Sequence, residues 1–422
     1  MTSEVALLNK SCIALAADSA TTVSYWEKGE PKTRYFKGAN KIFNLSAAHP
    51  VGLMTYASAS LQGVPWEIIV KAYRQSIKGK SHDELPGYAH DFFDFIATNA
   101  HMFPVAIQEE QFKALADRVA AKIVHPVLFD QTLKSATTED GRKAAFDALF
   151  PSRAALVTSS AFVPGAAQAD ADAAATRFAG QVQSMLEGDG WYEQVPRDSM
   201  GELARLAIQG IYREDFTSLQ GTGLAFAGYG DKEFFPRMSV YRCSGMVLGK
   251  LLCASESEVV ISQENTSDLV PLAMSEMIGT FIWGIGDNGL NQIMSSFRAQ
   301  ASALLEAIRT AGHLQAGVNA DSFVNAAAKK YLKELIGQLH ESHRAPLQRV
   351  IGNLPFPEMA ELAEALVFME SMKERVTTPT ESVSGPIDVA IISKGDGFIW
   401  IKRKHYFDPK LNPRFFSRHG FS

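Results

Sequence analysis

The sequence predicts an α+β protein in which two layers of antiparallel sheet are covered on the outside by helices. Three observations predict it. Short apolar, strand-like runs separated by tight polar turns open the chain, return in its middle and close it. Two long stretches between them carry the three-to-four-residue apolar period of helices. The 422 residues, 46% hydrophobic and 21% charged, have the make-up of a chain that buries a large core, which excludes a disordered one. The element order is strands, helices, strands, helices, strands. Stacking two sheets with helices outside is an economical way to bury the apolar faces of that order.

The elements follow in turn. Val5–Leu8 and Ser11–Ala17 are apolar runs around the polar pair Asn9-Lys10, which reads as a hairpin. A polar stretch with Gly29, Pro31 and Gly38 follows as loop. Lys41–Leu45 and Val51–Ala57 read as strands, with His49-Pro50 between them. Pro65 suits a helix first turn, and Ile68, Ile69, Ala72 and Tyr73 make one helical face. Helical patterns then run to about residue 213, with strong propensity in the Ala-rich segments Gln111–Ile123 and Ala167–Leu186. Gln220-Gly221-Thr222-Gly223 reads as a turn cluster. Strands are expected at Leu224–Tyr229, Met238–Cys243, Met246–Cys253 and Val259–Ser262, with turns at Asp231-Lys232 and Ser244-Gly245. A second helical region runs from Pro271 to Val376, broken near Gly312–Gly317 and Gly352–Pro357. Its last helix, Pro357–Arg375, buries Leu362, Leu366, Met369 and Met372 by spacing. Ile387–Ser393 and Phe398–Ile401 close the chain as two strands around Gly395-Asp396-Gly397.

Charge and composition narrow the function classes. With 41 Lys+Arg against 46 Asp+Glu the formal charge is −5, so the global basic field of a nucleic-acid binder is missing. No run reaches the ~20 apolar residues of a membrane helix. The richest, Leu269–Gly286, is broken by Pro271, Ser275 and Glu276. Glu4 and Asn9-Lys10 argue against a secretion signal. Three cysteines, none in a CxxC pair, make neither a disulfide framework nor a structural zinc site and fit a reducing cytoplasm. His340 and His343 belong to a solvated helix face, and the Gly-rich Trp283–Gly289 follows no strand, so it reads as a helix break.

The chemistry is concentrated at the start. Thr2 follows the initiator Met, and removal of Met1 leaves a threonine with a free α-amine. Such a residue carries a nucleophilic hydroxyl and its own general base, an amine whose ordinary pKa is about 7.7–8.0. Four segments accompany it. Cys12-Ile13-Ala14-Leu15-Ala16-Ala17-Asp18 ends in Ala-Ala-Asp, with Asp18 sixteen residues after Thr2. Asn40-Lys41-Ile42-Phe43-Asn44-Leu45 follows, then Gly52-Leu53-Met54-Thr55-Tyr56-Ala57-Ser58. Ser384-Gly385-Pro386-Ile387-Asp388-Val389-Ala390-Ile391-Ile392 and Asp396-Gly397 close the chain. In order and content these resemble the motifs of proteasome β-type subunits, including their bacterial relatives. The resemblance spans roughly 2–75, 222–263 and 357–402.

The resemblance implies an N-terminal nucleophile (Ntn) hydrolase with a four-layer α-β-β-α sandwich of two antiparallel sheets and two large helical insertions. Its core would comprise 1–63, 220–266 and 357–405, with the helical region and insertion at 64–219, a second insertion at 267–356 and a basic, aromatic tail at 406–422. Thr2 is implied as nucleophile, Lys41 as the catalytic cation, Asp18 as its partner and the Ser58 N–H as oxyanion donor. The family's Asp-x-x-Ser pair falls strictly on Thr380 and Val383; a one-residue slip brings Glu381 and Ser384 into those roles. Thr21, Ala39 and Tyr56 are implied substrate contacts, Tyr56 as the floor of a shallow pocket; packing in the core is its other reading. Departures are plain: Ser58 stands where the family has Gly, and Ser262-Gln263-Glu264-Asn265 where it has Gly-Ser-Gly. The Thr2–Lys41 separation is about seven residues longer, which a surface loop absorbs at small entropic cost. The expected activity is cleavage of a peptide or protein amide bond, without metal or organic cofactor, in a homo-oligomer served by an ATPase or other regulator. A catalytically silent structural subunit and a small-molecule Ntn amidase are the alternatives. The tail after Lys402, with Tyr406, Phe407, Phe415, Phe416 and Phe421 among basic residues, is expected to dock on protein.

Overall fold

A computed structural model describes residues 3–27, 30–219, 221–274, 276–313, 320–377 and 384–414. The strands in chain order are β1 (Ser3–Asn9), β2 (Cys12–Ala17), β3 (Thr21–Glu27), β4 (Glu30–Phe36), β5 (Ile42–Asn44), β6 (Val51–Tyr56), β7 (Ser60–Leu61) and β8 (Val64–Pro65). After the first helical region come β9 (Thr222–Gly228), β10 (Arg237–Val247), β11 (Lys250–Val260) and β12 (Ser267–Ala273), and the chain closes with β13 (Asp388–Ser393) and β14 (Gly397–Lys402). The first helical region holds α1 (Trp66–Ile77), α2 (Leu85–Thr98), α3 (Val105–Leu128), α4 (Gln131–Ser135), α5 (Glu139–Ser159), α6 (Gln168–Gly188) and α7 (Arg197–Ile211). The second holds α8 (Glu276–Trp283), α9 (Asp287–Thr310), α10 (Ala320–Leu339), α11 (Ala345–Ile351) and α12 (Phe356–Thr377). The protein is thus mixed α and β with antiparallel sheets. It divides into two compact units, one of Met1–Ile42, Phe234–Arg237 and Val260–Ser422, the other of Phe43–Glu233 and Met238–Val259.

In the first unit the sheet order is β12-β1-β2-β13-β14. Val5, Leu7, Cys12, Ala14 and Ala16 form one core with Met359, Ala363, Leu366 and Val367 of α12 and Ile278 and Ile282 of α8. Alanines on β2 leave room for a helix to lie close to the central strands. Alternation sends Glu4, Ala6, Leu8, Ile13, Leu15 and Ala17 to the opposite face, and all six are buried. Three expectations need correction here. Pro271 opens no helix; it lies in β12, opposite Val5. β12 is an edge strand, where a residue without an N–H is tolerated, and the helix begins only at Glu276. Met372 is 42% exposed, because the buried stripe of α12 runs through Met359, Ala363, Leu366, Val367 and Glu370 instead. The polar stretch after Ala20 is not loop but the hairpin β3–β4, whose pairing runs from Thr21 with Phe36 to Glu27 with Glu30.

In the second unit the sheet order is β11-β10-β9-β6-β5. Leu53, Phe226, Tyr241 and Met246 pack with Trp66, Tyr73, Phe92 and Ile96 of α1 and α2. A separate core built on α3, α5, α6 and α7 holds Phe112, Phe146, Phe178 and Ile208. The face of α1 is rotated from the expected one: Ile68 is 57% exposed, and Trp66, Ile69, Val70, Tyr73 and Ile77 are buried. Ser244-Gly245 makes no turn; β10 runs straight through it to Val247. The chain reverses at Leu248-Gly249, both at positive φ (46° and 82°), and β11 continues to Val260, absorbing the expected strand at Val259. Gly223 is likewise not a turn residue but the β9 partner of Tyr56.

The cysteine expectation also needs correction: Cys243 and Cys253, ten residues apart on the neighbouring strands β10 and β11, form a disulfide, so the cysteines do not argue for a reducing compartment. Cys12 is the free cysteine, and burial pushes its thiol up to about 12. An aromatic disulfide reagent should therefore find no reactive thiol in the native protein, one after unfolding without reductant and three after reduction. A thiol that reacts before unfolding contradicts this assignment.

Candidate active site

The site grows from the end of β2. Its last residue, Ala17, delivers Asp18 into a tight bend whose carboxylate is 1% exposed. Asp18 Oδ1 accepts from the Ser3 N–H (3.0 Å) and from Lys41 Nζ (2.5 Å). Oδ2 accepts from the Ala20 N–H (3.0 Å), closing an Asx-type turn, and from the Ser384 N–H (3.1 Å). Four donors on two oxygens suit a carboxylate, which has no O–H of its own to place. The Asp18 N–H in turn donates to the Ser3 carbonyl at 3.1 Å, so the two strand ends are tied reciprocally.

Lys41 stands just before β5 and is 6% exposed. Its ammonium also lies 3.1 Å from Glu4 Oε1, and Glu4 is fully buried. Taking an ammonium out of water costs several kcal/mol unless opposite charge meets it, and here two carboxylates do. Glu4 and Asp388 both pair with Ala17, from β1 and β13, so Glu4, Ala17 and Asp388 form one cross-strand row. By alternation this row lies on the face opposite α12. Asp388, 2% exposed, holds Lys404: Oδ1 accepts from its N–H at 2.8 Å and Oδ2 pairs with its Nζ. Burial pulls the Lys404 ammonium below its usual lysine range; Asp388 opposes that shift, and the nearby Lys41 and Arg403 charges add to it.

Of the residues expected from sequence, Asp18, Lys41 and Ser384 meet here. Ser384 contributes its N–H. Thr2 and Glu381, with Thr380 and Val383, lie outside the described residues. Thr21 opens β3, and the Ala39 N–H is taken by the Ser19 carbonyl at 3.0 Å. In the second unit, the Ser58 hydroxyl donates to the Ser60 carbonyl at 2.7 Å. The left-handed torsion there belongs to Ala57 (φ 69°), so Ser58 needs no glycine-only backbone. Tyr56 is 6% exposed; its hydroxyl donates to Glu256 at 3.1 Å and Arg242 lies over its ring. Ser262 makes a bend, its Oγ accepting from the Glu264 and Asn265 N–H groups.

Sequence reasoning missed Glu4 and the Asp388–Lys404 pair as members of the site. A signal existed for the first. Glu4 has the parity of Ala6 and Leu8, so a carboxylate on an otherwise apolar strand face had to find a cation.

No family model matches the chain, and no curated protein matches it. Among the described residues no three His, Cys, Asp or Glu side chains are grouped to hold a metal, and no helix is long and apolar enough to cross a membrane.

Proposed function

We propose that the chain is a proteasome-like threonine Ntn hydrolase that cleaves peptide amide bonds through an acyl-enzyme ester on Thr2. The observation that supports this reading is the Asp18 carboxylate. It gathers the N–H of the residue after Thr2, the Lys41 ammonium and the Ser384 N–H into one buried cluster. Lys41 and Ser384 come from two of the segments that resemble the family, and Ser384 lies 366 residues from Asp18 in sequence.

On this reading Met1 is removed and the Thr2 hydroxyl attacks the substrate carbonyl carbon. Its proton passes to the α-amine, which returns it to the departing amine as the C–N bond breaks. Water then attacks the ester with the same amine as base, releasing the acid and restoring the hydroxyl. Lys41, clamped by carboxylates, is on this reading the fixed positive charge that favours the attacking oxygen's loss of its proton. This sequence of steps requires no cofactor. The reading also assigns the chain to the four-layer α-β-β-α fold of that class, and to a cytoplasmic homo-oligomer acting on peptide or protein, with an ATPase or other regulator.

The test is the intact mass of the purified protein after incubation with a peptide epoxyketone, a warhead that needs both the threonine hydroxyl and its free amine. A single adduct on a chain lacking Met1, absent in Thr2→Ala, is the expected result. A chain that lacks Met1 and takes no adduct overturns the peptidase reading, and one that retains Met1 overturns the nucleophile.

A further inference from the structure

Among the described residues, the buried or nearly buried charges of this site include the Asp18, Glu4 and Asp388 carboxylates and the Lys41 and Lys404 ammoniums, and the way they divide is informative. Glu4 and Asp388 flank Ala17 on adjacent strands. Cross-strand neighbours lie about 5 Å apart, so with Ala17 between them the two residues are about 10 Å apart along the row, and Lys41 lies near enough to Lys404 for the two charges to repel. Lys41 takes Glu4 and Asp18, while Asp388 is closed by Lys404, which binds it with both its backbone N–H and its ammonium. Lys404 comes from beyond β14, outside every segment that resembles a known motif.

We propose that Lys404 is a positioning residue of the Asp18–Lys41 site. It neutralises Asp388, the outer carboxylate of the row, and thereby leaves Lys41 to Glu4 and Asp18. Without Lys404, Asp388 is a buried carboxylate with an ammonium close by, and Lys41 is drawn along the row away from Asp18. The catalytic part of this inference rests on the function proposed above; the division of charge does not.

The groups that act on Lys404 are Asp388 on β13, Lys41 ahead of β5 and its own neighbour Arg403; Glu4 lies two strands further along the row. Burial, Lys41 and Arg403 favour its neutral form and Asp388 its charged form. Lys404 therefore loses its proton at lower pH than exposed lysines, and Asp388 is uncovered as it does.

The experiment uses the full chain with carbon-13-labelled lysine side chains, read by NMR across pH, together with the rate of epoxyketone adduct formation. The expected result is a lysine signal that titrates below the exposed lysines, is missing in Lys404→Arg and moves lower still in Asp388→Asn. Lys404→Met should slow adduct formation at least about tenfold, the effect of roughly one pK unit of altered charge interaction. The double variant Asp388→Asn/Lys404→Met should recover most of that loss, because no orphan carboxylate remains; a purely structural role would not be rescued in this way. Lys404→Arg, which keeps the charge and folds if Lys404→Met does not, should move the alkaline fall of the rate upward. A Lys404 signal that titrates with the exposed lysines, or a folded Lys404→Met that reacts like the parent, overturns the proposal. If the parent takes no adduct, the hydrolase reading fails, and the titration in Asp388→Asn still decides the pairing.

Discussion

Lys41→Met should cost about 3–5 kcal/mol of folding stability, because it leaves the buried Asp18 and Glu4 carboxylates facing each other without their shared cation. The cost comes from the orphaned charges rather than from the lost contact. Removing a partner as well should therefore be milder than the sum: Asp18→Asn/Lys41→Met should lie well short of the two single losses added together. Denaturant unfolding of the four proteins in this cycle measures the coupling. On the proposed mechanism all three variants also lose amide hydrolysis, but only the stability cycle tests the geometry independently of substrate. Additive single losses would mean that Lys41 and Asp18 do not share the buried pair described above.

Gly223→Ala should be strongly destabilising in the second unit. A Cβ on Gly223 would lie 1.9 Å from Tyr56 Cζ and within 2.3 Å of both ring Cε atoms. The aromatic ring lies flat on the glycine across the β6–β9 ladder, where the two residues are direct partners. Accommodating a methyl group means lifting the ring, which breaks its 3.1 Å hydrogen bond to Glu256 and its stacking under Arg242. Roughly 3 kcal/mol is expected, at the upper end of overpacking costs. In a Tyr56→Ala background the same change should be close to neutral, so thermal or denaturant unfolding of the double variant checks the cause. A Gly223→Ala protein as stable as the parent would show that Tyr56 has another place to go, such as the pocket floor that the family resemblance implies.

Much of this architecture is legible in the chain. The hairpin Val5–Ala17, the strands at 42–44 and 51–56, and the two strands after residue 387 follow from short apolar runs and turn residues. What was misread has a common cause. The segment of β3 and β4 reads as loop because Gly29, Pro31 and Gly38 and the polar run Lys32-Thr33-Arg34, all three exposed, carry the composition of turns. β12 holds a proline that signals a break inside helices and sheets but not on an edge. The reversal at Leu248-Gly249 was hidden by the stronger turn composition of Ser244-Gly245, which the ladder on both sides holds extended.

The site divides along the same line. Asp18, Lys41 and Ser384 were readable one by one, each at the end of a recognisable local segment. Their meeting on one carboxylate, and the share of Lys41 that goes to Glu4, depend on strand register across β1, β2 and β13. Local periodicity determines which face of a strand is apolar, and the amino-acid sequence alone was enough for that. Which buried carboxylate receives which ammonium is a long-range electrostatic matter. It turns on a register that sets residues 4, 17 and 388 side by side, and on a lysine at 404 that no local pattern connects to them. Only the tertiary structure decides it, because the cost of a buried charge is met by whatever partner the fold brings within hydrogen-bond reach.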